Sequence, residues 1–216
     1  IRGDFRSRTM EDIITEVQHL AGSGVREVVL IAQDSANYGL DLYHKPMLAA
    51  LLQALAKIDQ IAWIRVLYSY PKYFSDELIE VFAQEPKIVK YVDLPLQHAH
   101  DAVLRAMNRP DTRAGLEKLI KKLRERIPGV SIRSTFIVGF PGETDTHYQA
   151  LRRFVEEQRF DKVGIFTYSE EEDTPAAQMP KKVSEEIMQE RYHDLMSLQS
   201  KISEEINIAL ESKVMD

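Results

Sequence analysis

The stretch SIRSTFIVGFPGET, residues 131–144, decides how the chain folds. Ile132 to Val138 is a short apolar run rich in β-branched residues, the pattern of a strand buried on both faces in a parallel sheet. Gly139 and Gly142 let the backbone turn and approach a ligand with no Cβ in the way, and Pro141 fixes a φ between them. Thr144 stands at the N-cap of a helix predicted over 145–157. The unit is a strand, a glycine-rich corner and a helix, with Arg133 and Glu143 as its charged members. In α/β folds such a corner lies at the carboxyl end of a strand, where ligands bind. On spacing alone, a tight turn with no ligand is the equal alternative.

The same grammar repeats on either side. Thr9 caps a helix with Ile13, Ile14, Val17, Leu20 and Ala21 on one face, closed by Gly22 and Gly24. VREVVLIA at 25–32 reads as a buried strand that delivers Gln33-Asp34-Ser35 to its end. A loop through Asn37, Tyr38 and Gly39 leads to a helix predicted over 46–58. Ile61 to Tyr68 is the next strand, and Ser75 caps the next helix. Tyr91 to Leu96 is a short strand ending in Gln97-His98-Ala99-His100-Asp101, followed by helices over 101–107 and 112–126. A strand over 162–168 comes last, and Ser184 caps a long helix with Met188, Tyr192, Leu195, Ile202 and Ile206 on one stripe, a packing pattern. Strands alternating with helices predict an α/β fold with a parallel sheet.

The 216 residues suffice for one large domain with a substantial core. No apolar run reaches membrane-spanning length and no signal peptide is recognisable, so a cytoplasmic protein without a membrane partner is expected. The polar opening IRGDFRSR reads as the trimmed interior of a longer protein. Cysteine is absent, which removes disulfides and thiolate ligands for zinc or iron–sulfur clusters from this chain. A net charge of −6 argues against a broad nucleic-acid footprint and suits a basic partner.

Chemistry is sought at the strand ends. His98-x-His100-Asp101 has the look of half a divalent-metal site, but further ligands at other strand ends are wanting, and no metal is assigned to this chain. Arg65 and Arg133 lie inside apolar strands, where a guanidinium needs either a strand carboxylate such as Asp93 or a ligand carboxylate to clamp. Tyr38, Tyr68, Tyr70 and Tyr168 either line an aromatic pocket or pack in the core. Glu170 to Asp173 is by default a solvated loop.

Taken together the blocks IRGDFRSR (1–8), VVLIAQDSANYG (28–39), YVDLPLQHAHD (91–101), MNRP (107–110), STFIVGFPGET (134–144) and GIFTYSEEEDTPA (164–176) resemble the radical S-adenosylmethionine domain of the methylthiotransferases. AQDSANYG and YSEEE are closer to the branch that modifies an aspartate of a small-subunit ribosomal protein. The sister branch modifies a tRNA adenosine and usually has a basic residue where this chain has Glu171 or Glu172. The resemblance implies a partial parallel βα barrel, six-stranded in the family, with a long C-terminal helix. It also implies S-adenosylmethionine as cofactor and two four-iron four-sulfur clusters in the full-length protein. Neither cluster could be held by this chain, because the C-x-x-x-C-x-x-C loop would stand before Ile1. An electron donor such as flavodoxin and a ribosomal-protein substrate are the implied partners, with nucleic acid a partner only in the tRNA alternative. A metal-dependent hydrolase and a passive binding module are the remote alternatives.

By motif position, the resemblance puts Gln33 and Asp34 near the methionyl amine of the cofactor and Arg133 or Arg65 at its carboxylate. Gln97 and Asp101 would lie towards the ribose, while Val138-Gly139 and Phe166-Thr167 would flank the adenine with backbone groups. Tyr38, Tyr70, Tyr168 and Glu171 fall on the substrate side. Asp173 stands where relatives often have glycine, so the loop there is expected to be shaped differently. The implied organisation is a barrel domain over 1–183 lacking its first strand and cysteine loop, a packing helix over 184–210, and the start of a β domain at 211–216. The chain alone is then inactive, and the missing first strand leaves an open sheet edge that invites association.

Overall fold

The Thr9 hydroxyl accepts the Asp12 amide and starts α1, Met10–Gly22. Such caps occur throughout the chain: Ser75 opens α4 (Asp76–Gln84), Thr144 opens α7 (Asp145–Gln158) and Ser184 opens α8 (Glu185–Ile208), each accepting an amide of the first turn. The computed structural model describes residues 3–211 and Lys213. Ile1 and Arg2 of the opening block, and most of the segment 211–216 expected to begin a β domain, lie outside the described residues. The chain divides into two units, Ile1–Leu94 with Lys121–Val130, and Pro95–Ile120 with Ser131–Asp216.

In the first unit β1 (Glu27–Leu30) pairs in parallel with β2 (Trp63–Val66), Val29 opposite Arg65. Both strands are shorter than the apolar runs that announce them. Tyr68 takes φ 58, which breaks the extended backbone just past β2. Ser35 N–H then bonds Tyr68 O at 2.8 Å and ties the two strand ends together. The run 46–58 forms α3 (Leu48–Ala56), and a short helix α2 (Leu40–Tyr43) occupies part of the expected loop. Leu52 and Leu55 of α3, with Ile61, Ile64, Ile79 and Phe82, are fully buried. Among the described residues β1 pairs only with β2.

The second unit carries a sheet in the order β3-β4-β5, from β3 (Tyr91–Gln97, which begins in the first unit), β4 (Ser131–Val138) and β5 (Lys162–Thr167). β4 and β5 run parallel, from Arg133 opposite Lys162 to Val138 opposite Thr167. α5 (Asp101–Ala106) follows β3, and α6 (Arg113–Arg126) runs across the division of the chain. Behind β4, Phe136, Phe154 and Phe160 meet with ring centroids 5.7 to 6.3 Å apart.

Two expectations are corrected here. β4 is not buried on both faces: Ile132, Ser134, Phe136 and Val138 are buried, while Ser131, Arg133, Thr135 and Ile137 are only half-buried. The half-open face is the one that carries Arg133. Nor is the buried row of α8 purely apolar. α8 packs on β5, β4 and α7, and it buries Arg191 and Gln199 together with Leu195 and Ile202. Polar side chains are tolerated there because each finds a partner: Arg191 meets Glu143, and Gln199 donates to Phe160 O at 2.9 Å.

Candidate functional site

In the first unit the strand ends are bound to one another. Asp34 Oδ1 accepts the Tyr70 amide at 3.1 Å, while Gln33 beside it is exposed. Tyr38 OH donates to Arg8 O at 3.0 Å, and burial, then Tyr43 and Glu11, push the phenol up to about 12. Tyr70 lies against Tyr73, centroids 6.2 Å apart. Arg65 is half-buried and does not meet Asp93. Its Nε donates to Glu27 Oε1 at 2.9 Å, and its guanidinium lies over the Tyr91 ring. Asp93 is instead buried, accepting the Tyr68 amide at 3.2 Å. The cross-strand carboxylate won because Glu27 sits one ladder step from Arg65 on the same face of the pair.

In the second unit a cleft of about 690 Å³ opens at the carboxyl ends of β3, β4 and β5, lined by Gln97, Met107, Ile137, Phe140, Phe166 and Tyr168. Gln97 ends β3 at φ 70, a left-handed conformation that a side chain adopts at a cost of about 1–3 kcal/mol. Gln97 Oε1 and Tyr168 OH are buried atoms with no hydrogen-bond partner among the described residues. Phe166 is 58% exposed, and the rings of Phe140 and Tyr168 meet edge-on at 5.4 Å. The cleft is mostly apolar with polar residues such as Asn108, Arg109 and Thr167 also in its lining, the make-up of a small-molecule site.

Around it the expected residues are placed unevenly. Val138 is buried, and its carbonyl accepts the Tyr168 amide at 2.9 Å. Thr167 pairs with Val138 across the ladder. Asp101 Oδ1 accepts the Arg113 amide at 2.8 Å, so this carboxylate caps α6. Glu171 is exposed and takes part in a turn, its carbonyl accepting Thr174 Oγ1 at 2.8 Å. Asp173 adopts φ 62, the conformation that glycine enters freely.

Gly139 is tightly enclosed on one side. At φ 79 its conformation favours glycine, and the space of a Cβ is taken by Met188 of α8, whose Cγ would lie 2.1 Å away. A helix makes the close approach on that side. The Gly139 amide is also spent, donating to Glu143 Oε2 at 3.1 Å. His98 and His100 likewise fail to form half a metal site. His98 is fully buried facing Glu143, whereas His100 stacks on His147 with centroids 4.2 Å apart. Among the described residues no group of three or more His, Cys, Asp or Glu side chains is placed to hold a metal ion. Arg191, bonded to Glu143 at 2.6 Å, was missed. Its signal was present: residues 188, 191, 195, 199 and 202 form one helical row, and Arg191 falls on it between Met188 and Leu195.

Comparisons place this architecture. A family model of the radical SAM superfamily matches residues 1–155. The ribosomal protein uS12 methylthiotransferase RimO of Desulforamulus reducens is 55% identical over 203 residues, 94% of this chain and 46% of that protein. The protein of the same name from Heliobacterium modesticaldum is 53% identical, again over 94% of this chain, and 44% of its own length. The chain thus spans about half the length of the curated relatives it matches. Among solved structures, coproporphyrinogen III oxidase (HemN) from Escherichia coli, a radical SAM enzyme, superposes with a TM-score of 0.65 at 16% identity. That match covers 89% of this chain and 45% of the oxidase. The likeness shows the fold, and the expected class of partial parallel βα barrel with a long C-terminal helix stands.

Proposed function

The chain belongs to the radical SAM superfamily, and from that premise we propose that it is the central domain of a methylthiotransferase acting on an aspartate of a small-subunit ribosomal protein. The observation that carries this reading is the cleft at the ends of β3–β5 with its two orphaned oxygens, Gln97 Oε1 and Tyr168 OH. Buried polar atoms are costly without partners, and a ligand that is part aromatic ring and part polar chain, such as S-adenosylmethionine, supplies both kinds of contact. When bound and reduced through an iron–sulfur cluster, that cofactor supplies a radical able to take hydrogen from an unactivated carbon.

In this reading the chain's own residues bind and orient. In the second unit Gln97 and Tyr168 donate or accept at the cleft, and Phe166-Thr167 and the Val138-Gly139 backbone flank the base. Arg133, on the half-open face of β4, takes the carboxylate, and Asp101 lies on the ribose side while capping α6. Glu171 faces the substrate. The cluster cysteines belong to other parts of the full-length protein, since this chain has none. We assign 1–183 to the barrel and 184–210 to its covering helix, in a cytoplasmic protein served by a flavodoxin-like donor. No helix among the described residues is long and apolar enough to cross a membrane.

The test is the full-length reconstituted protein offered the ribosomal protein uS12 and unmodified tRNA in parallel, with mass spectrometry of both. A methylthio gain on uS12 is expected. A gain on the tRNA alone overturns the assignment.

A further inference from the structure

The carboxylate of Glu143 is shared by three elements. It is buried, 5% exposed, and follows the β4–α7 corner. One oxygen accepts the Gly139 amide at 3.1 Å, and the other accepts Arg191 Nη1 of α8 at 2.6 Å. His98, next to Gln97 at the end of β3, completes the set. Its Nδ1 accepts the His100 amide at 3.0 Å, which puts the ring proton on Nε2, 3.4 Å from Glu143 Oε2 and short of hydrogen-bond geometry. Arg191 is fixed in turn, its guanidinium 5.3 Å over the Tyr148 ring, while the single Tyr148 O–H donates to Asp194 Oδ2 at 2.6 Å with Arg191 O, 3.1 Å away, as a weaker second acceptor of the same proton.

We propose that Arg191 is a positioning residue for the cleft: by holding Glu143 it sets the Gly139 corner and the His98 ring, and through their neighbours the cleft-lining Phe140 and Gln97. The proposal rests on the cofactor reading above and deepens it. A buried carboxylate is tolerated only with a cation and hydrogen bonds around it. Removing the guanidinium therefore leaves Glu143 to swing towards water and release the Gly139 amide. The pair is not needed simply to attach α8. Two turns further on, Gln199 donates to Phe160 O and Ser203 to Asp161 O, anchoring the helix at the opposite end of β5. Gln97, already held in a left-handed conformation, is the residue whose side chain a small shift of His98 would misdirect.

The experiment compares Arg191→Met, Arg191→Lys and Gln199→Met in the full-length protein. Two quantities are read: the Kd for S-adenosylmethionine by calorimetry, and amide hydrogen exchange at Gly139 without ligand. Arg191→Met should raise Kd by roughly tenfold, the usual loss when a supporting partner is removed, and speed exchange at Gly139. Arg191→Lys, which keeps the charge, should recover most of both. Gln199→Met should lower Tm while leaving Kd and the Gly139 exchange unchanged. Unchanged exchange in Arg191→Met, or equal effects from Gln199→Met, overturns the proposal. If the parent binds no S-adenosylmethionine, the functional reading falls instead, and the exchange comparison still decides whether Arg191 holds the corner.

Discussion

Replacing Gly139 by alanine tests the corner most directly. Two costs follow from the structure. The residue sits at φ 79, where an L side chain costs about 1–2 kcal/mol. The new methyl would also lie 2.1 Å from Met188 Cγ and 2.5 Å from its Sδ, an overpacking that costs about 1–3 kcal/mol. The sum is about 2–5 kcal/mol, enough to remove a large part of a typical domain's stability. Gly142, at φ 84 with nothing within 4 Å of its missing Cβ, pays only the first cost, about 1–2 kcal/mol. The gain from stiffening the unfolded chain is common to both substitutions and cancels in their comparison. Urea unfolding followed by circular dichroism gives each value. In Gly139→Ala with Met188→Ala the two closest contacts, to Cγ and Sδ, are gone and only a tight 3.2 Å approach to Cβ remains, so the pair should be less damaging than the sum of the singles, with a coupling of about 0.5–3 kcal/mol. Equal losses at the two glycines, or strict additivity in the double variant, would refute the claim that α8 dictates glycine at this position.

Four further outcomes are expected. Arg65→Gln should cost under about 1 kcal/mol, because its pair with Glu27 is about one-third exposed. Arg133→Gln should weaken S-adenosylmethionine binding roughly tenfold or more in calorimetry; an unchanged Kd would withdraw Arg133 from the carboxylate. Asp101→Ala should lower stability by about 1 kcal/mol through the lost cap on α6, with Asp101→Asn close to the parent in thermal melts. Stability should also fall in acid. Burial, with a neighbouring histidine second, holds His100 and His147 below their ordinary 6.5. The folded chain then binds fewer protons than the unfolded one, so this stability is complete above about pH 6.5 and is lost as pH falls towards the folded values. The double variant His100→Gln, His147→Gln should flatten urea midpoints measured from pH 7.5 to 5.5, glutamine at 147 still serving the capping box. An unchanged slope would dismiss the stacked pair as its origin.

Local chemistry was written in the sequence. Thr9, Ser75, Thr144 and Ser184 announce helix starts because a cap needs only its own hydroxyl and an amide two or three residues on. The alternation of strand and helix, and the ordered blocks from 28–39 to 164–176, carried the parallel α/β class and the family. What periodicity could not rank was partner choice over distance. Arg65 had two strand carboxylates to choose from, and ladder register selected Glu27 over Asp93. A short apolar run was equally compatible with one buried face or two, and the burial of β4 was settled by which side its neighbours cover. Gly139 and Arg191 show the limit most clearly. A glycine at a strand end reads the same whether a ligand or a helix approaches it, and an arginine on the buried row of a helix does not say which carboxylate it meets. Only the packing of a helix some fifty residues downstream put Met188 in the place of a Cβ and a guanidinium on the buried carboxylate of Glu143. Contacts between elements far apart in sequence depend on where every intervening element has gone, and no local pattern carries that information.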